Sequence, residues 1–535
     1  MHDPFRAGLA SGWKHVDASG LTADRRFEAD VVIVGSGAGG GVTAEILARA
    51  GLAVIIVEEG PLRTSDDFRM RESEAYPDLY QESAARKTAD KAINILQGRC
   101  VGGSTTVNWT SNFRTPAATL HWWQQAHGLK RLSVEAMAPW FMAMEQRLHV
   151  GQWPIPPNEN NAALARGAGK LGIPVAVIRR NVKMCWNLGY CGMGCPTNAK
   201  QSMLVTTIPG ALEQGATLIS RLRAERFEFS GGQVKVLDAI ALKADGLHPS
   251  GIKVALHARH FVLAGGSINS PALLLRSKAP DPAGRLAKRT FLHPVVISSA
   301  LFEQPVRAYA GAPQSVYTDH FLEQFPIDGP LGFKLEAPPL HPVLFSTTLQ
   351  GWGEEHARLM KNFANVQTNL ALIRDGFHPD SQGGQVRLRG DGSPVLDYPL
   401  NATFWEAARR ALLAMAEIQF AAGATWVTPV HERTPGYTSW AEARRGIAEL
   451  ALEPLICRVV SAHVMGGCAM ADTPERGVVS DEGRHFQIDN LSIHDGSVFP
   501  TSIGANPQLS IYGLVARNAS LLAAALTGRP RPAIL

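Results

Sequence analysis

The apolar residues of this chain fall into short continuous runs, several of which end at glycine. Residues 31–34 form one such run, and a glycine-rich turn and an alanine-rich stretch with helical spacing follow it. A run without polar alternation is typical of a strand that is buried on both faces. Residues 53–57 form a second run, which ends at Glu58. The pattern predicts a strand, a turn, a helix and a second strand of one parallel sheet.

Two later stretches extend this picture. Residues 261–277 repeat the order of strand, glycine turn and helix, with Ala264 at the turn. Residues 404–418 place apolar side chains at helical spacing and predict an amphipathic helix. We expect that helix to pack on the core, because no uninterrupted apolar run of the chain reaches the roughly 18 residues of a membrane span.

The turn after the first run has the spacing of a dinucleotide-binding motif, G-x-G-x-x-G. Gly35 permits the tight turn, and Gly37 lets the backbone approach a pyrophosphate at the N-terminus of the helix. Gly40 allows the helix to pack closely on the strand. Glu58, at the tip of the second strand, can accept hydrogen bonds from a ribose. We therefore predict a dinucleotide site.

A second glycine-rich loop, residues 97–110, indicates which dinucleotide binds. A nicotinamide enzyme needs one phosphate loop, whereas a permanently held flavin is contacted along its length. This loop therefore favours a flavin. Its candidate cofactor residues are Gly98, Gly102, Gly103, Ser104 and Asn108.

The C-terminal region contains the candidate catalytic residues. His463 precedes a pair of glycines, and Asn506 and Pro507 follow 43 positions later. Proline restricts the residue before it to extended geometry, which suits a side chain that must point one way. The pair suggests a base and a hydrogen-bonding partner directed at one atom. Between them, Asp495 and Gly496 open a further short motif.

Together these four blocks resemble the glucose-methanol-choline (GMC) family of FAD oxidoreductases, in the family's order and over nearly the whole chain. The local patterns are most similar to bacterial relatives of long-chain alcohol oxidases and to catalytic subunits of FAD glucose dehydrogenases. The resemblance implies an α/β fold (α+β overall), with a Rossmann-like FAD domain and a second domain built on an antiparallel sheet. The FAD domain would comprise residues 1–115, 205–295 and 456–535, the lid and connecting loops 116–204, and the substrate domain 296–455.

The resemblance also implies roles for single residues. His463 would be the general base and Asn506 its hydrogen-bond partner in alcohol oxidation by hydride transfer to flavin N5. Ala264, Asp495, Gly496, Asn506 and Pro507 would contribute to the FAD site. Family members with covalent flavin have a histidine where this chain has Val107, so we expect non-covalent FAD. His293 and His494 are interpreted as structural.

Three cysteines lie within eleven residues, at Cys185, Cys191 and Cys195. One interpretation is a 3Fe–4S cluster with three thiolate ligands, as the similarity to the FAD glucose dehydrogenases implies. The other is a set of structural thiols. With a cluster, the enzyme would be a sugar dehydrogenase that passes electrons to a cytochrome partner, with a small subunit beside it. A flavin-containing lyase of the same fold is a further alternative.

Composition narrows the possible partners and cellular locations of the protein. Charged residues make up 19% of the chain and the formal net charge is +5, without a basic block, so we expect no nucleic-acid partner. No signal peptide or transmembrane segment is expected, which favours a cytoplasmic location or a peripheral one at the inner membrane, and a periplasmic one only through export with a partner. The expected substrate is a small, fairly apolar alcohol, and the electron acceptor is oxygen, a quinone or a cytochrome.

Overall fold

Two eight-stranded sheets organise the part of the chain that the computed structural model describes, residues 3–531 without the side chain of residue 355. The first sheet is parallel at its centre, and the second is mostly antiparallel. This arrangement confirms the predicted fold class. The active-site cavity described below lies between them.

The predicted strand–turn–helix–strand unit forms the centre of the first sheet. Arg25–Val34 lies between Val54–Val57 and Pro249–Leu263, and all three are parallel. Their continuous apolar runs, residues 31–34, 54–57 and 261–263, are buried on both faces. In spatial order the strands are Lys14–Asp17, Thr217–Ser220, Val54–Val57, Arg25–Val34, Pro249–Leu263, Gln233–Leu242 and Leu222–Ser230, with Leu491–Ile493 beside Pro249–Leu263.

The helix Ala38–Arg49 packs between Thr207–Glu213 and the C-terminal helix Gln508–Thr527. Gly40 makes its approach to the strand possible, because a Cβ at this position would lie 1.8 Å from the carbonyl oxygen of Gly35. The helix Gln508–Thr527 is long and apolar enough to cross a membrane. Most of it is buried inside the protein, so it is a core helix.

The second sheet is backed by the helix Ala402–Ala422, which confirms the amphipathic helix predicted at residues 404–418. In spatial order its strands are Ile93–Ile95, Val459–Ser461, Val295–Leu301, Val366–Ile373, Phe333–Glu336, Val316–Thr318 and Ala176–Val177, with Trp426–Pro429 beside Val295–Leu301. Two of these strands, Ile93–Ile95 and Val459–Ser461, come from segments that we predicted for the FAD domain. Both strands pair within the second sheet, and Asn94, Val460 and Ser461 line the cavity.

Smaller elements complete the described residues. The short strands are Thr290–Leu292 with Val464–Gly466, Gln385–Leu388 with Pro394–Asp397, and Ser111–Asn112, Arg179–Asn181 and Val150–Gln152 together. The other α-helices are Pro4–Ala10, Glu72–Leu79, Ser104–Val107, Ala117–Ala126, Val134–Arg147, Glu159–Lys170, Gly266–Arg276, Pro342–Thr348, Gly353–Lys361 and Trp440–Glu449.

Candidate active site

A cavity of about 830 Å³ lies between the two sheets and receives residues from every predicted motif. Both candidate catalytic residues, His463 and Asn506, line it. The candidate cofactor residues that also line it are Gly35, Gly37, Glu58, Gly98, Gly103, Ser104, Asn108, Ala264, Asp495, Gly496 and Pro507. Gly40 and Gly102 do not line it, because they lie behind it in the packing of the helix and of the second loop.

The glycines of the first loop distinguish protein packing from space for a ligand. A Cβ on Gly35 would lie 2.3 Å from the carbonyl oxygen of Ala264, so glycine is required there by the protein itself. A Cβ on Gly37 would meet only the Cα of Gly103, at 3.8 Å, and would otherwise project into the cavity. The open space beside Gly37, at the N-terminus of the helix Ala38–Arg49, fits a pyrophosphate.

Glu58 lies at the tip of the second strand, as predicted. Its carboxylate accepts hydrogen bonds from the backbone N–H of Ser36 (3.1 Å), the hydroxyl of Ser36 (2.6 Å) and the backbone N–H of Gly60 (2.8 Å). Burial raises the pKa of Glu58, and these hydrogen bonds oppose the shift. The hydroxyl of Ser36 also accepts from the N–H of Gly102 (3.0 Å), so Glu58 holds the two glycine-rich loops together.

The second loop is closed by Ser104, whose hydroxyl accepts from the N–H of Gly98 at 2.9 Å. Asn108 follows the short helix Ser104–Val107 and donates to Oε1 of Gln508 at 2.7 Å. Gln508 begins the C-terminal helix, so this bond joins the loop to that helix. The loop is thereby held at the cavity from both ends.

Asp495 connects the strand, turn and helix of residues 261–277 to the C-terminal motif. Its carboxylate accepts from the backbone N–H of Gly266 (2.8 Å), the hydroxyl of Ser270 (2.5 Å) and the backbone N–H of Ser497 (2.8 Å). Burial raises the pKa of Asp495, and the hydrogen bonds act against that shift. Asp495 thus fixes the position of Gly496 and of the turn at Ala264 at the cavity wall.

His463 lies at the cavity and is paired with a second histidine. Its Nδ1 lies 3.0 Å from Nδ1 of His293, and Nε2 of His293 accepts from the backbone N–H of Gly504 at 3.1 Å. Burial lowers the pKa of His463 to about 3, and the charge of Lys334 lowers it further. His463 is therefore neutral over the physiological range. We interpreted His293 as structural from its sequence context, and the structure places it in contact with the candidate base.

Asn506 is bonded to a buried carboxylate. Its Nδ2 donates to Oε2 of Glu336 at 3.4 Å, and the same oxygen accepts from Nε2 of Gln314 at 2.6 Å. Lys334 lies 3.4 Å from the other oxygen of Glu336, with its ammonium over the ring of Phe113. Burial lowers the pKa of Lys334 to about 8, while Glu336 raises it. These polar groups orient the amide of Asn506, and the sequence offered no sign of them.

The far wall of the cavity is mostly apolar, and the two hydroxyls at its end, those of Ser299 and Thr368, lie 3.1 Å apart and are hydrogen-bonded to each other. Alternate residues of two paired strands share one face of the second sheet, where Val295 is opposite Leu372 and Ile297 is opposite Leu370. Val430 and Val460 extend this wall. The roof is the helix Pro342–Thr348 with its flanks, and it adds Leu340, Leu344, Phe345 and Leu349. None of these residues was identified from sequence, because ordinary core strands show the same alternation.

The three clustered cysteines do not fit a metal cluster. Within residues 3–531, no group of three His, Cys, Asp or Glu side chains is arranged to hold a metal ion. Sγ of Cys185 accepts from the backbone N–H two residues later, and Sγ of Cys195 accepts from the backbone N–H of Lys200. Sγ of Cys191 contacts the guanidinium of Arg180. The thiols are close in sequence but directed at separate neighbours, so the structure does not support the iron–sulfur hypothesis.

The same loop is fastened to the cavity wall by Lys200. Its buried ammonium donates to the backbone carbonyls of Cys191 (2.6 Å) and Asn108 (3.0 Å), and also to that of Thr106. Burial lowers the pKa of Lys200 to about 8, and the nearby thiols act in the opposite direction. A structural role explains this loop.

Solved structures share this architecture. A pyridoxine 4-oxidase from Mesorbium loti superposes with a TM-score of 0.68 at 20% identity and covers 92% of this chain and 98% of its own. A formate oxidase variant from Aspergillus oryzae also has a TM-score of 0.68, at 17% identity, with 94% and 99% covered. At these identities the likeness concerns the fold alone.

Sequence comparison extends the likeness to whole chains. An uncharacterized GMC-type oxidoreductase of Sinorhizobium fredii is 28% identical over 502 residues, which are 93% of this chain and 95% of the relative. A GMC-type oxidoreductase of Mycobacterium tuberculosis is 31% identical over 505 residues (94% and 76%). A long-chain-alcohol oxidase of Arabidopsis thaliana is 27% identical over 510 residues (91% and 68%).

Two family models, both described as GMC oxidoreductase, match residues 76–295 and 379–514. Together these ranges cover more than half of the chain, and they include the second glycine-rich loop, His463 and Asn506. The chain therefore belongs to the GMC family of FAD-dependent oxidoreductases.

Proposed function

We propose that this protein oxidises an apolar alcohol to the aldehyde or ketone, with FAD as the hydride acceptor. The observation that carries the proposal is a single cavity that brings together His463, Asn506, the glycine-rich loops and a wall of aliphatic side chains. A base and a hydrogen-bond donor beside an apolar surface suit the oxidation of a hydroxyl on a hydrocarbon.

FAD would be held by the backbone of the first loop around Gly37, by Glu58 and by the second loop from Gly98 to Asn108. When bound there, FAD accepts a hydride at N5. Val107 lines the cavity where relatives with covalent flavin have a histidine. The FAD is therefore bound without a covalent link, and denaturation with acid or heat should release it into the supernatant. Flavin that sediments with the precipitated chain would contradict this point.

The chemistry of the chain's own residues concerns the substrate oxygen. An alcohol carbon loses hydride readily only when its oxygen gains negative charge, so the hydroxyl proton must be removed. His463 is neutral and faces the cavity, which suits a general base. The amide of Asn506, held by Glu336, donates a hydrogen bond to the same oxygen and stabilises that charge.

The aliphatic wall supports an apolar substrate over a sugar. Val295, Ile297, Leu370 and Leu372 offer no hydrogen-bonding groups for the hydroxyls of a sugar, and burying such hydroxyls unpaired costs free energy. A hydrocarbon chain gains about 0.8 kcal/mol per buried CH₂. The relatives named long-chain-alcohol oxidases agree with this choice.

An anaerobic absorbance spectrum tests the proposal. Purified holoprotein is titrated with primary alcohols of increasing chain length, with benzyl alcohol and with glucose. We expect bleaching of the flavin by the alcohols, at lower concentration as the chain lengthens, and none by glucose. Bleaching by glucose but by no aliphatic or aromatic alcohol overturns the substrate class, and a lyase would show no bleaching by any of them.

The wall itself is tested by substitution. Ile297→Asn should raise the concentration of a long-chain alcohol needed for half-maximal reduction, and have less effect with a short one. Leu455→Asn is the matched control, because Leu455 is exposed and lies outside the cavity lining. Equal shifts for long and short alcohols would show that this wall does not contact the hydrocarbon chain of the substrate.

The electron acceptor is measured in the same preparation. Oxygen consumption during turnover identifies an oxidase. Reduction of a quinone or a cytochrome without oxygen consumption identifies a dehydrogenase that works with a partner.

A further inference from the structure

His293 lies between His463 and the loop that precedes Asn506, and it contacts both. The N–H of Gly504 donates to Nε2 of His293 over 3.1 Å. An amide N–H can only donate, so Nε2 of His293 accepts and the proton of the neutral ring is on Nδ1. That nitrogen lies 3.0 Å from Nδ1 of His463, and the two rings meet edge to face at 87°. Nδ1 of His293 therefore donates to His463.

The acceptor role of Nδ1 determines the protonation of His463. A neutral imidazole carries one proton, so the proton of His463 is on Nε2. Nε2 has no hydrogen-bond partner among residues 3–531, and His463 lines the cavity. In the resting enzyme His463 presents an N–H to the cavity.

We propose that His293 is a positioning residue that fixes the ring of His463 and determines which of its nitrogens carries the proton. The backbone N–H of Gly504 determines the tautomer of His293, because it can only donate to Nε2. Gly504 is two residues from Asn506, so one chain of contacts relates the candidate base to its hydrogen-bond partner.

The catalytic consequence rests on the proposed function. To take a hydroxyl proton at Nε2, His463 must hold its ring proton on Nδ1, and His293 must become the acceptor. The proton of His293 is then on Nε2, opposite the N–H of Gly504, and that hydrogen bond is lost. Besides the proton shared between the two Nδ1 atoms, one proton must leave Nε2 of His463 for solvent in the cavity and one must reach Nε2 of His293 from solvent, so both rings stay neutral. The base-competent form is thus the less populated one, and His463 must change tautomer before it takes the hydroxyl proton.

The surroundings keep the pair neutral. Lys334 and Arg374 are the cations near His293, Lys334 is also near His463, and Glu336 lies 3.4 Å from Lys334. An extra proton on either ring would bring two N–H groups together within the pair or at Gly504. The pKa of His293 is lowered well below its ordinary value, by burial first and then by His463, Lys334 and Arg374.

The direct test is nitrogen NMR of the FAD-loaded protein labelled with ¹⁵N-histidine. The signals of His463 are those that disappear in His463→Asn. We expect Nε2 to show the shift of a protonated ring nitrogen and Nδ1 that of an unprotonated one. A proton on Nδ1 of His463 in the wild type overturns the proposal. This measurement needs no substrate, so a flavin that no alcohol reduces would refute the proposed function and leave this result standing.

Two substitutions test the part played by His293. His293→Asp offers only an acceptor, so His463 should move its proton to Nδ1 and gain a higher pKa. The acid limb of flavin reduction should then move to higher pH. His293→Leu offers neither group, and the wild-type preference for Nε2 should be lost. Unchanged His463 signals in both variants, with wild-type flavin content, would refute the proposal.

The matched control is His260→Leu. His260 is equally buried, and its Nε2 is hydrogen-bonded to the hydroxyl of Ser492 at 2.9 Å, outside the cavity lining. Its loss should change thermal stability and leave the signals of His463 where they are. If His260→Leu shifts the signals of His463 as much as His293→Leu does, the shift reflects a general loss of packing and the positioning role of His293 is refuted.

Discussion

Gly37 and Gly103 face each other backbone to backbone at the cavity, although 66 residues separate them in the chain. A Cβ on Gly103 would lie 2.8 Å from the Cα of Gly37, whereas a Cβ on Gly37 would lie 3.8 Å from the Cα of Gly103. The contact is therefore asymmetric. Gly103 is required by the protein, whereas no close protein atom requires glycine at position 37, which agrees with the pyrophosphate site proposed there.

Gly37→Val should give a folded protein that contains little FAD. The valine side chain meets no protein atom closely at its Cβ but enters the space proposed for the pyrophosphate. Flavin absorbance per chain and thermal unfolding measure the two properties separately. Gly169→Val is the control, because a Cβ there projects into open space on a surface helix. Wild-type flavin content in the Gly37 variant would contradict the placement of the nucleotide.

Glu58→Ala should weaken FAD binding without abolishing it. The substitution removes an acceptor that serves Ser36 and Gly60 and loosens the bond from Ser36 to the second loop. A lost hydrogen bond of a charged group costs about 1–3 kcal/mol, which is roughly a five- to 150-fold rise in Kd. Titration of apoprotein with FAD, followed by flavin fluorescence, measures it. Glu58→Gln keeps one acceptor oxygen, so its Kd for FAD should lie between those of the wild type and of Glu58→Ala.

His463→Asn and Asn506→Ala should retain FAD and lose reductive activity. We expect the rate of flavin reduction by alcohol to fall by roughly 10²–10⁴ without the base and roughly 10²–10³ without the donor. Anaerobic stopped-flow absorbance measures both rates at saturating alcohol. Wild-type rates in the His463 variant would place the base elsewhere in the cavity.

Acid should destabilise the fold through its buried histidines. Burial lowers the pKa of His260, His463 and His494 to about 3, whereas an unfolded histidine titrates near 6.5. Between these pH values the unfolded chain binds more protons than the folded chain. The free energy of unfolding contributed by these histidines is therefore fully present above about pH 6.5 and decreases as the pH falls towards 3. Each such histidine contributes up to about 1.4 kcal/mol per pH unit.

Urea unfolding with excess FAD, at about pH 7.5 and about pH 5, measures this dependence. His260→Gln removes one titrating group and should reduce the slope. A free energy of unfolding that is equal at the two pH values in the wild type would contradict the prediction.

The parts of the fold that could be predicted are those that depend on residues close together in the chain. The apolar run at residues 31–34 is the buried end of Arg25–Val34, and the pattern at 404–418 lies within Ala402–Ala422. Turn, helix and strand signals are local, because backbone geometry and side-chain periodicity act over a few residues. The glycine motif added the position of the cavity.

The parts that could not be predicted depend on residues far apart in the chain. His293 meets His463 across 170 positions, and Glu336 meets Asn506 across another 170. Neither pair follows a motif, so only the packing of the second sheet brings them together. The cysteines show the reverse case: Cys185, Cys191 and Cys195 are neighbours in sequence, and each sulfur contacts a different polar group.

The strand order of the first sheet has a consequence for how the protein is made. Leu491–Ile493 pairs with Pro249–Leu263, and that strand pairs with Arg25–Val34. The side of residues 261–263 that faces away from Arg25–Val34 therefore remains unpaired until synthesis has passed residue 493. Asp495, which fixes the cavity wall, emerges later still. A nascent chain that stops at residue 450 exposes this edge, and parallel pairing over long sequence separations is slow and exposes the chain to aggregation.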